Sequence, residues 1–207
     1  MGSARPVEVA CCEAHVVPAR QRRTLQVVLA INLAMFAVEL GAGLAAHSTA
    51  LLADAADMFG DALVYALSLY VVGRAPAWQA RAALVKGLCM AGFALGVLAE
   101  ALAKLARGLT PDAGVMGVVG VLALAANAGV LALLWRHRGD DINMRSAWLC
   151  SRNDVLANGG VLVAALAVSL SGSAWPDILV GLAIAWLFGA SAVGVIRQAL
   201  AAPTRSP

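Results

Sequence analysis

Apolar runs of about twenty residues recur along the whole chain, and each is long enough to cross a hydrocarbon core of about 30 Å as a helix. In lipid every backbone N–H and C=O must find its partner within the protein, so only helices and closed barrels can span. No period-two alternation persists over the length that a barrel strand needs. The fold expected is therefore an all-α membrane protein. Its six transmembrane helices are read at roughly 25–46, 50–73, 81–106, 114–135, 146–170 and 178–200. Turn and charge signals mark the breaks: His47-Ser48, Gly73 to Pro76, Gly108 to Asp112, Arg136 to Asp141 and Ser171 to Pro176. Composition agrees, because only 13% of the 207 residues are charged, about half of what a soluble surface carries.

The placement of Lys and Arg orients the spans. Arg20, Arg22, Arg23, Arg74, Arg81, Arg136, Arg138, Arg145, Arg197 and Arg205 fall on one side, against Lys104 and Arg107 on the other. Both termini are then cytoplasmic, as an even number of spans requires. The layout expected is a cytoplasmic tail over 1–23, a transmembrane domain over 24–200 and a short cytoplasmic tail over 201–207. The first twenty-three residues are polar and basic and the first apolar run is too long for a signal sequence, so a multi-pass protein of the cell (inner) membrane is expected. A net charge of +3 is too small to suggest nucleic acid as a partner. The small residues Gly87, Gly92, Gly96, Gly117 and Gly120 suit close helix packing in lipid.

Ionisable groups inside a span are costly and mark function by default. They are Glu39, Asp54, Asp57, Asp61, Lys86, Glu100, Lys104, Arg152 and Asp154. Lys86, Glu100 and Lys104 lie near span ends, from where a long side chain reaches the interface. Asp57 and Asp61 are four apart, hence one turn apart on one helix face. They repel each other unless something cationic intervenes, and the second span holds no Lys or Arg. A bound metal ion is the simplest compensation. The fifth span repeats the spacing with Cys150 and Asp154, and thiolates and carboxylates are ordinary zinc ligands. The two pairs sit at depths that can meet in mid-membrane. Asp54, on a neighbouring face, is read as capping or pairing. Arg152 points away from the Cys150–Asp154 face and is read as a salt-bridge partner of Glu39 or Asp54. Asn32, Asn127, Asn153 and Asn158 are read as interhelical hydrogen-bonders, with Asn153 also within range of serving as a neutral metal ligand. Cys11, Cys12 and His15 form a weak candidate for a cytoplasmic metal relay, and Cys89 is an apolar-span thiol.

The stretch from Ser48 to Asp61, STALLADAADMFGD, resembles the second-helix signature of the cation diffusion facilitators. The stretch from Arg145 to Asp154, RSAWLCSRND, resembles their fifth-helix signature. Glu39, Glu100 and the Trp175-Pro176-Asp177 entry to the sixth span extend the resemblance over all six spans. The resemblance implies a divalent metal/proton antiporter that exports zinc-like ions such as zinc, cadmium or cobalt. It also implies a metal site of Asp57, Asp61, Cys150 and Asp154, with the metal as cargo and no cofactor. Cys150 stands where the family usually has His, which bears on metal preference. The chain ends at Pro207, where most members continue into a cytoplasmic metal-binding domain that helps dimerisation, so a short form is expected and a homodimer stays open. Two other readings compete: a non-transporting metal sensor or partner subunit, and an intramembrane aspartyl protease built on two facing aspartates.

Overall fold

A computed structural model describes residues 19–70, 76–136 and 142–201. They form six helices: α1 (Ala19–Ala45), α2 (Thr49–Tyr70), α3 (Pro76–Arg107), α4 (Ala113–Trp135), α5 (Ile142–Ser171) and α6 (Trp175–Ala201). No strand occurs among the described residues. The chain is an all-α, multi-pass membrane protein. Five of the helices are long and apolar enough to cross a membrane; α2 has the length, but it carries three aspartates, Asp54, Asp57 and Asp61. It lies at the centre instead, packed against α1, α3, α5 and α6, and its stretch from Ala50 to Ala56 is buried throughout. A helix wrapped by four others meets protein rather than lipid, which is where polar side chains are tolerated. The helices α1, α3 and α5 begin several residues before the apolar spans, because a helix continues through its basic interfacial turn. Cys11, Cys12 and His15, with residues 1–18, 71–75, 137–141 and 202–207, lie outside the described residues.

Local chemistry sets the ends. Pro76 and Pro176 occupy first turns, where a missing N–H costs nothing. Asp112 caps α4, accepting from the backbone N–H groups of Gly114 and Val115. His47, at φ 51°, takes the left-handed position after α1, and the Ser48 N–H then reaches back to the Gly43 carbonyl at 2.9 Å, a Schellman closure. This tight corner lets α2 start at once beside α1.

Not every small residue marks a close approach. A Cβ on Gly87 would sit 2.6 Å from Ile196, and one on Gly120 would sit 2.9 Å from Leu162, so these two do bring α3 to α6 and α4 to α5. Gly92, Gly96 and Gly117 face open space, contrary to the expectation from sequence.

Candidate metal site

Five carboxylate-bearing positions, Glu39, Asp54, Asp57, Asp61 and Asp154, come near one another where α2 meets α5 and α1. The two helices run antiparallel, so positions that rise along α2 pair with positions that fall along α5. Asn158 donates to the Asp54 carboxylate at 3.2 Å and to the Asp154 carbonyl at 2.8 Å. One turn further along α2, the Asp57 and Asp154 carboxyls come within hydrogen-bonding reach of each other. Two carboxylates so close repel unless a proton or a metal ion lies between them. The next rung of this register places Asp61 level with Cys150, one turn further along α2. Asp61 and Asp54 both act electrostatically on Asp154.

Asp57, Asp61, Cys150 and Asp154 are all half-buried, whereas Asp54 is buried. The site face is therefore reachable, while Asp54 is held behind it by Asn158. Asp54 pairs rather than faces the opening, as its position on α2 suggests. Among the described residues no three His, Cys, Asp or Glu side chains gather closely enough to hold one ion. The contact that this conformation makes is the Asp57–Asp154 pair, with Asp61 and Cys150 flanking it.

Three assignments from sequence change. Arg152 is exposed on α5, its guanidinium 5.9 Å from the Trp148 ring centroid, and it pairs with neither Glu39 nor Asp54. Glu39 is fully buried, and neither of its carboxyl oxygens has a hydrogen-bond partner; it faces Asp54 and Asp57. Asn153 is exposed, on a different face from Asp154. Of the four asparagines only Asn158 makes the interhelical bond expected of them all among the described contacts, and Asn127 is buried with both its amide atoms unpartnered.

The lysines differ most. Neither Lys86 nor Lys104 reaches an interface: they are 3% and 1% exposed. Lys104 lies 2.5 Å from Asp177 of α6. Asp177 also accepts from the Ser48 hydroxyl at 2.6 Å and from the Thr49 and Ala50 N–H groups at 2.8 and 3.1 Å. Ser48 in turn caps α2, accepting from Leu51 N–H at 3.1 Å. A carboxylate at a helix N-terminus is favoured by the orphan N–H groups and the dipole there. Lys86 sits on α3 with its Nζ unpartnered and acts electrostatically on Asp57. Glu100 is half-exposed, 3.9 Å from His47 Nδ1.

The sequence model of the cation efflux transmembrane domain matches residues 25–202. The chain belongs to the cation efflux, or cation diffusion facilitator, family. Among curated members of this family it is similar to the metal cation efflux system protein CzcD of Cupriavidus metallidurans, with 29% identity over 203 residues, covering 89% of this chain and 64% of that protein. It is 25% identical over 201 residues to the zinc transporter ZitB of Escherichia coli, covering 90% and 64%. It is 24% identical over 180 residues to the cadmium, cobalt and zinc/H(+)-K(+) antiporter of Bacillus subtilis, covering 79% and 57%. The chain thus spans less than two thirds of the length of these cation efflux relatives.

Proposed function

We propose that this chain is a divalent metal transporter that moves zinc-like ions out of the cytoplasm across the cell (inner) membrane in exchange for protons. The observation that carries the reading is the Asp57–Asp154 contact between two helices that share the antiparallel register. Such a pair is one closure short of a four-ligand site. A small approach of α2 and α5 would bring Asp61 and Cys150 to the same ion, giving three carboxylates and one thiolate at ordinary zinc distances of about 2.0–2.3 Å. Carboxylates and a thiol must lose their protons to bind a metal, so metal capture and proton release are linked. Alternating exposure of the same residues turns that linkage into exchange. Relatives whose names include zinc, cadmium and cobalt support the choice of ions. The metal is cargo, and no cofactor enters the scheme. The protease reading needs one aspartate per helix and has no use for Asp61 or Cys150, and membership of a cation-carrier family leaves it without support.

The test is metal flux into proteoliposomes holding the chain alone, with and without an imposed pH gradient. Uptake of zinc or cadmium driven by a proton gradient is the result expected. Saturable metal binding without flux under any gradient would reassign the chain as a sensor or as a partner subunit of another carrier.

A further inference from the structure

A cluster of carboxylates in a membrane needs protons or a counter-charge whenever no metal is bound. The second helix has no basic residue, but α3 does. Lys86 is 3% exposed, and its Nζ is buried without a hydrogen-bond partner. An ammonium has three donors and is strongly hydrated, so leaving it buried and unpartnered is costly. Packing gives no reason for the cost, because the neighbouring turn is apolar: Met90 lies in one cluster with Ala56, Phe188 and Ala192. That cluster does fix the place. Ala56 directly precedes Asp57 on α2, and Gly60, one turn on, leaves room for Met90 and Phe188 against the helix backbone. Lys86 is one turn from Met90 on α3. Its charge acts on Asp57 from there.

We propose that Lys86 sets the metal affinity of the transport site, as a tethered cation whose fixed positive charge opposes the incoming ion beside Asp57. The proposal rests on the reading of Asp57 as a metal ligand. In the metal-free site the ammonium adds its positive charge to that of the protons the carboxylates take up, so the empty site survives in a low-dielectric surrounding. When a divalent ion arrives, the same ammonium repels it. The ion is then bound less tightly, and it leaves more readily on the far side. Transport requires such a compromise, since a site that holds its ion too well cannot release it. The repulsion depends on ionic charge and not on softness, so it weakens all divalent ions alike. Cys150 acts differently, because a thiolate discriminates among ions.

The experiment is equilibrium metal binding to the purified full chain in nanodiscs, with zinc and cadmium as separate probes. Lys86→Met removes the charge and keeps the length of the side chain; Lys86→Arg keeps the charge. Lys86→Met is expected to bind both metals more tightly by about tenfold or more, the size that one unit charge near a partly buried ion produces. The zinc-to-cadmium ratio is expected to stay as in the parent. Lys86→Arg is expected to bind within about threefold of the parent, since guanidinium stays charged. Lys86→Gln, expected to follow Lys86→Met, guards against misfolding of one variant. Unchanged or weaker binding by folded Lys86→Met overturns the proposal. So does equal tightening by Lys86→Arg, which would make the effect one of packing, and so does failure of both neutral variants to fold. Asp57→Ala separates the two readings: if it binds metal as the parent does, the site assignment itself is wrong, whatever Lys86 does.

Discussion

Two aspartates, one against the start of α2 and one at its middle, have opposite surroundings. Asp177, in the first turn of α6, is 0% exposed and is met by a lysine, a serine hydroxyl and two backbone N–H groups. Asp57, in the middle of α2, is half-buried and is met by another carboxyl. Around Asp177 every charge is answered inside the protein. Around Asp57 the nearby groups are left short: Glu39, Asp54 and Lys86 each have a buried polar atom without a hydrogen-bond partner. A carboxylate supplied with its own donors holds helices together, and one left wanting a cation is available to bind one. The supply of donors separates structure from function here.

The largest effect expected from this contrast is on transport. Asp57→Ala and Asp154→Ala should each lower metal flux at least a hundredfold, since a lost ligand bond of about 3 kcal/mol corresponds to that factor. Neither should lower the thermal unfolding temperature of the detergent-purified protein, because each removes a repelling charge. A clear loss of stability in either variant would make the pair a structural element like Asp177.

Asp177→Ala should do the reverse. It strands the Lys104 ammonium in the bundle and uncaps α2, and breaking a buried pair costs about 3–5 kcal/mol. Thermal unfolding should show that loss, with flux per folded molecule close to the parent's. The double variant Asp177→Leu, Lys104→Met should recover most of the stability, because apolar side chains of similar volume replace buried ion pairs well. If Asp177→Ala folds as the parent does and loses flux instead, the contrast between the two aspartates fails.

Gly181→Ala tests how Asp177 reaches α2. An added Cβ would lie 2.6 Å from the Thr49 carbonyl carbon, so α6 must draw back from the helix start it caps. Overpacking of this kind costs about 1–3 kcal/mol, again read by thermal unfolding. An unchanged unfolding temperature would show that the junction yields freely.

The smallest effect expected is a change of preference. Cys150→His should shift transport towards zinc and away from cadmium by a few-fold, because imidazole is a harder ligand than thiolate. Cys150→Ala should weaken both ions. Bound metal should also slow alkylation of Cys150, whose sulfur lone pair it would occupy, while Cys89 on α3 serves as the control. Neither thiol is in a disulfide, and both are half-buried. If Cys150→Ala transports every ion as the parent does and metal leaves alkylation unchanged, Cys150 packs and does not bind.

Much of this was legible in the linear chain because it depends on local periods. The apolar runs set the number and length of the helices, since a span is defined by about 30 Å of hydrocarbon. The four-residue spacings of Asp57 with Asp61 and of Cys150 with Asp154 set which side chains share a helix face. Asp54 was placed off that face by the same rule, and Asn158 holds it there. The destinations of the long basic side chains were not legible. Lys86 and Lys104 lie near span ends, where a sequence alone favours the interface, and Arg152 lies within the fifth span among other charged groups, where it favours a salt bridge. The packing reversed all three: it turned Lys104 onto Asp177, seventy-three positions away, turned Lys86 towards Asp57, and left Arg152 outside on Trp148. The physical reason is that a helix face is fixed by 3.6-residue geometry within one segment, whereas the partner of a buried charge is fixed by which segments become neighbours. That choice rests on close approaches such as Gly87 to Ile196 and Gly181 to Thr49, which exist only once the six helices are assembled.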